Sequence, residues 1–173
     1  RPRRARAYCA DHPSISGDLN EFGGHLAVFV RSFAPAQSLA YLPDVARLEW
    51  LAHRAHYAAD HAPLDAAKIA ALHEDAYPRL ALKLHPAVTI LNSAYPLLRI
   101  WEVHQDDYRG EVAVDLGGGG GDVVVYRPHY RATVAALTRA EAAFLAAITQ
   151  GESLGAALEH AVTADTRFDL AMS

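Results

Sequence analysis

The sequence predicts an α+β protein: a helical N-terminal domain over residues 1–78, then a winged-helix-like domain over residues 79–173 with a small three-stranded sheet and a helix-turn-helix. Three observations predict it. Apolar residues recur at helical spacing as far as Pro78. Beyond residue 80, short runs rich in β-branched residues, LKLHPAVTILNS and DVVVYRPHYRATVAAL, replace that pattern. The last third carries two cap signals in succession, around a turn that contains Gly151.

In order along the chain, RPRRARAYCA holds four arginines within residues 1 to 6 and reads as a solvated basic tail. It begins at Arg1 and lacks the long apolar core of a secretory signal, so it is expected to be a cut or processed end with sequence missing before it. Asp18 or Ser16 can cap a helix running to about Ser32, because Leu19, Phe22, Leu26, Phe29, Val30 and Phe33 recur at helical spacing. A loop marked by Pro35 follows. Leu42, Val45, Leu48 and Leu51 then form a stripe, with Pro43 suited to a first turn and Asp44 to the positive end of the helix dipole; this helix is expected to reach about Asp60. A shorter helix opens at Asp65 and carries Lys68, Ile69 and Leu72.

LKLHPAVTILNS is predicted to be a strand with Pro86 at its edge or at a bulge. YPLLRIWEVHQ returns to helical spacing through Leu97, Ile100, Trp101 and His104. DVVVYRPHYRATVAAL reads as two strands reversing near Arg127, Pro128 and His129, with Val123, Val125, Tyr130 and Val134 inward. Glycines 117 to 121 are a flexible connection and not a phosphate loop, which needs a following Lys and Ser or Thr where this chain has Asp122. TRAE is a capping box, Thr138 with Glu141, for a helix whose apolar face is Phe144, Leu145 and Ile148. Ser153 caps the next, which bears Leu154, Ala157, Leu158, Ala161 and Val162. RFDLAMS begins a third element.

Composition narrows the function classes. The 173 residues, 51% hydrophobic and 21% charged, are ample for a core, and no apolar run approaches the roughly 20 residues of a membrane span. A single cysteine, Cys9, excludes an internal disulfide and any multi-thiolate metal site, and fits a cytoplasmic protein. The net charge of -4 gives no global attraction to nucleic acid.

LPDVARLEW, residues 42 to 50, threads acids, a base and a tryptophan through a helix start. At helical spacing Asp44 meets Arg47 as a structural tie, Glu49 pairs with His53, and Trp50, off the stripe, fits either a domain or partner interface or a second packing layer. His53, His56 and His61 with Asp60 have spacing that can chelate a metal, but no HExxH pattern accompanies them and Arg54 lies beside them; no metal site is assigned. No serine sits in a GxSxG elbow and no catalytic residue is assigned. From Thr138 to Ser173 two basic residues face five acidic ones, and Leu154 to Val162 contains no Lys or Arg, so the second helix of the pair is poorly made for a DNA groove. Protein or peptide contact suits that charge better, for instance a peptide added to the edge of the small sheet.

In order, YLPDVARLEW, HRAHYAAD, LHPAV, YPLLRIWEVHQ, YRPHY and LTRAEAAFLAAITQGESLGAALE resemble the HvfC/BufC family, long labelled DNA-binding, and YCADHPSISGDLNEFGGHLAVFV resembles the end of that family's N-terminal helical domain. The resemblance covers nearly the whole chain. It implies a non-catalytic partner of a multinuclear iron oxygenase that modifies cysteines in ribosomally made peptides, as in methanobactin synthesis. The iron would sit in the other subunit, with no cofactor in this chain, and this protein would help recruit the precursor's leader. In related leader-recognition modules, a three-stranded sheet followed by three helices, the leader adds beside the third strand and the last helix. Carried onto this sequence, the strand is Tyr130 to Ala136 and the last helix begins near Phe168. Tyr130, Arg131, Thr133 and Val134 are thus expected to touch the peptide, and Tyr41, Leu42, Arg47 and Trp50 to make inter-domain or partner contact. The alternative is a DNA-binding transcriptional regulator, which needs the arginines of residues 1 to 6, or Arg127, His129 and Arg131, to form a basic surface.

Overall fold

The computed structural model describes residues 2–14 and 18–169. It is mixed helix and sheet. Three helices form the first half: α1 (Pro2–Asp11), α2 (Leu26–Ser32) and α3 (Leu42–His56), followed by the one-turn α4 (Ala66–Ala70). Three strands, β1 (Thr89–Ser93), β2 (Gly121–Tyr126) and β3 (Thr133–Leu137), make an antiparallel sheet in the order β1-β2-β3, with α5 (Leu97–Val103) between the first two. The chain continues as an αα-hairpin, α6 (Arg139–Thr149) and α7 (Leu154–Ala164).

The main core forms where α3 and α5 meet the sheet. Alternation along β2 buries Val123 and Val125, register sets Val125 beside Val134 of β3, and Leu91 of β1 pairs with Val123. Leu48, Ala52 and Ala55 of α3 and Leu97 and Ile100 of α5 cover these side chains in one cluster. Burying Leu48 or Val125 stabilises the fold by about 1.5–3 kcal/mol each. Because α3 contributes to this cluster, the packed core includes residues from both sides of residue 78.

A second, smaller core holds the αα-hairpin. Ala147 and Ile148 of α6 and Ala157 of α7 pack with Phe144, Leu82 and Leu84. The extended segment before β1 binds the hairpin through its backbone: Leu154 N–H donates to Leu80 O at 2.8 Å, and Ala81 forms an isolated bridge with Ser153. The capping box is present, with Glu141 N–H donating to Thr138 Oγ1 at 3.2 Å and Thr138 N–H to Glu141 Oε2 at 2.6 Å. Ser153 caps α7 through Ala156 N–H.

Several expectations are corrected. The basic opening is helical, and Tyr8 of α1 is buried against Phe22 and Phe29. The helix expected from residue 16 or 18 to Ser32 is split into a 3-10 turn (Leu19–Glu21) and α2, with Gly23 and Gly24 between; the proposed cap Ser16 lies outside the described residues. Asp18 instead accepts from Asn20 N–H. α3 stops at His56 rather than Asp60. LKLHPAVTILNS gives only the five residues of β1, since Leu82 and Leu84 pack against the α6–α7 hairpin instead of joining the sheet. Glycines 117–121 are more than a connection: Gly121 opens β2, and a Cβ on Gly120 would lie 1.9 Å from Ser93 O. Tyr130 is not inward but 71% exposed, and Val162 is 44% exposed. Of the element expected from Arg167, residues 170–173 lie outside the described residues; Phe168 rests on Phe144, ring centroids 6.2 Å apart.

Candidate partner and peptide surfaces

β3 is an edge strand. It pairs with β2 alone, and among the described residues its other side carries no backbone hydrogen bond. Thr133 and Val134 lie in this strand, while Tyr130 and Arg131 belong to the turn before it. Val134 is buried in the main core, so a peptide beside β3 would meet its backbone and not its side chain.

The β2–β3 turn has unusual chemistry. His129 (φ 48°) and Tyr130 (φ 62°) both lie in the left-handed region, and Arg131 N–H donates to Pro128 O at 3.1 Å. Two successive left-handed residues match the right-handed twist of a hairpin, but Gly or Asn normally supplies them. Here two ring-bearing side chains do. Arg127 anchors them: its guanidinium donates to His56 O at 3.0 Å and Asp60 Oδ1 at 2.6 Å, while Tyr130 lies over it, 5.4 Å from ring centroid to Cζ. Only 9% of the Arg127 side chain is exposed. Arg131 pairs with Asp107 at 3.7 Å on the surface. Beside the turn a cleft of about 740 Å³ is bounded by Pro63, His85, Tyr126 and Pro128 as well as His129 and Tyr130.

The other group of expected contact residues lies on or beside α3. Tyr41 is half-buried against Tyr95, ring centroids 6.2 Å apart, and Leu42 is half-buried at the helix start. Trp50 has two sets of close neighbours: Gly23 and Gly24 approach its indole, and His53 stacks on it with ring centroids 5.4 Å apart. It joins α3 to the segment before α2. Arg47 is exposed. The expected Asp44 tie to Arg47 is absent among the described residues; Ser93 Oγ, in a residue only 5% exposed, donates to Asp44 Oδ2 at 2.7 Å, and Ser93 Oγ also accepts from Tyr95 N–H. Asp44 thereby fastens α3 to the end of β1. The Glu49–His53 pair is likewise missing, because His53 is drawn into the stack with Trp50 and Tyr57.

The fold spreads apart the histidines whose spacing could chelate a metal. His53 stacks on Trp50, His56 meets Tyr57, and His61 meets His85, so among the described residues no three metal-ligating side chains converge. One electrostatic shift is clear: hydrogen bonds from Arg167 hold the exposed Asp165 carboxyl below its usual value and raise Arg167 in return. The sequence did not point to the Arg127–Asp60 lock or to His85 in the cleft, since both depend on the return of the chain after α3. Among the described residues no helix is long and apolar enough to cross a membrane. Compared with known protein families, with curated proteins and with solved structures, the chain matches none.

Proposed function

We propose that this protein is a non-catalytic partner that binds a multinuclear iron oxygenase and recruits the leader of a ribosomally made precursor peptide for cysteine modification, working in the cytoplasm without a cofactor of its own. The single observation that carries the reading is the free edge of β3, directly followed by the α6–α7 hairpin. An extended peptide added there gains main-chain hydrogen bonds from the strand and side-chain selectivity from what flanks it. In this reading residues 79–173 form a winged-helix-like peptide-binding domain, with the β2–β3 hairpin as the wing and α6–α7 as the helix pair. The N-terminal helical part, residues 1–78, presents Arg47 to the enzyme, while Tyr41, Leu42 and Trp50 hold α3 in place.

The DNA-binding alternative is weaker on charge. Arg127 is occupied by Asp60, Arg131 faces Asp107, and α7 offers Glu159 and a His160 engaged by Glu152. A basic wing needs those guanidinium groups free for phosphate.

The test is co-purification of the full-length protein with the iron enzyme encoded beside it, reading metal content and precursor binding on the same complex. A stable complex with iron confined to the partner, weakened by Arg47→Glu, is the expected result. No complex, together with DNA affinity that falls steeply with salt, would restore the regulator.

A further inference from the structure

Ala46, Glu49, Trp50 and His53 recur at i, i+3, i+4 and i+7 and so share one face of α3. Across from that face, the start of α2 and the residues before it leave a cavity of about 250 Å³. Its walls are apolar, formed by the rings of Phe22 and Trp50 with Leu26 and Ala46. One lining group is charged. The carboxylate of Glu49, an exposed residue, has no hydrogen-bond or ion-pair partner among the described residues. The basic residues nearest in sequence do not serve it: His53 is taken by its stack on Trp50, and Arg47 and Arg54, two and five positions away, stand on other faces of the helix.

We infer that this cavity is a docking point for a basic side chain, Lys or Arg, presented by the partner enzyme. The inference rests on the partner-binding reading above and adds to it the residue class that the partner brings to α3. Charge selects the guest. An aliphatic or aromatic side chain would desolvate the Glu49 carboxylate without offering it a hydrogen bond, and an acidic one would meet like charge. A basic side chain lays its methylene stem along the apolar walls and keeps its charged end beside the carboxylate, at the edge of the water. The Trp50 indole adds its own attraction for a cation. A free small molecule fits less well, because pockets for such ligands run from roughly 300 to 1,000 Å³ and enclose most of the guest. Glu49 is the determining residue.

The experiment uses N-acetyl-argininamide and N-acetyl-lysinamide, with the uncharged N-acetyl-norleucinamide as comparison, titrated at millimolar concentration into the whole protein while NMR follows the indole N–H signals of Trp50 and Trp101. Trp101 packs against the main core and is the internal reference. The basic amides are expected to shift the Trp50 signal and leave that of Trp101 in place. Glu49→Gln is expected to weaken their binding by about two- to fivefold. Glu49 is exposed, so the substitution tests the charge without threatening the fold. No shift at Trp50, an equal response to norleucinamide, or binding unchanged in Glu49→Gln would overturn the inference. So would a Glu49→Lys protein that co-purifies with the iron enzyme as fully as the parent. The titration needs no partner, so its failure rejects the docking point alone, whereas a parent protein that forms no complex rejects the partner-binding reading.

Discussion

Replacing Gly23 by Ala puts a methyl group where there is no room for one. An ideal Cβ would stand 2.7 Å from Trp50 Cε3 and 2.8 Å from Cζ3. The indole cannot slide away freely, because His53 stacks on it at 5.4 Å and would have to move with it. In open space Gly→Ala stabilises by about 0.4–1 kcal/mol, through the unfolded chain. Overpacking a closed contact costs about 1–3 kcal/mol and here dominates. Net of that gain the cost is up to about 2.6 kcal/mol, and for a chain of this size each kcal/mol lowers Tm by about 2–4 °C, so Gly23→Ala is expected to melt up to roughly 10 °C lower. Gly24→Ala is the internal control. Its Cβ would lie 3.5 Å from the same ring, an ordinary contact, and its stability should equal or exceed that of the parent. Urea unfolding followed by circular dichroism supplies the midpoints, and a double-mutant cycle with Trp50→Leu supplies the coupling, expected at about 0.5 kcal/mol or more. A Gly23→Ala protein as stable as the parent, or a cycle with no coupling, would refute the idea that the indole is fixed between two elements.

Four other outcomes are expected. Asp44→Ala leaves the buried Ser93 hydroxyl without its acceptor and should cost about 1–3 kcal/mol in urea unfolding, with Asp44→Asn recovering part of it. Leu48→Ala opens a cavity under the sheet and should cost about 2–5 kcal/mol by the same measurement. Thr138→Ala removes the cap of α6 and should cost about 0.5–2 kcal/mol, with Thr138→Ser close to the parent. Asp165 has a lowered pKa in the folded protein, so whatever it contributes is present at neutral pH and is lost as pH falls through that folded value; Arg167→Ala should move the Asp165 carboxyl titration, followed by NMR, upward.

The local signals in the sequence reached the structure nearly intact where the determinants lie a few residues apart. Thr138 and Glu141 make their capping box, Asp65 caps α4, and the valines of β2 alternate as period two demands. Errors arose where a distant partner decided the outcome. LKLHPAVTILNS has one uniform composition, yet Leu82 and Leu84 pack against the α6–α7 hairpin and only its last five residues join the sheet, a division set by elements far along the chain. Asp44 and Arg47 have the spacing of an ion pair, but a buried hydroxyl 49 residues from Asp44 takes the carboxylate. At the hairpin tip, alternation counted back from Val134 predicted an inward Tyr130. The turn instead uses left-handed residues, and each such residue breaks the period of the strand. The cleft was not legible at all, because its walls come from the loop after α3, the approach to β1 and the hairpin.

The division between the two apolar clusters sets an order of loosening. The α6–α7 pair shares its small core with Leu82 and Leu84, is moored by a bond to Leu80 and touches all three strands through α6, while α3 and α5 form the larger core with the sheet. Among the described residues the hairpin's cluster holds three buried side chains against ten in the core under α3, so freeing the hairpin uncovers fewer buried apolar residues than lifting α3 from the sheet. The hairpin can therefore open as a subglobal unit while β1, β2 and β3 stay paired, and its amides belong to a lower rung of exchange protection than those of Val123 and Val125.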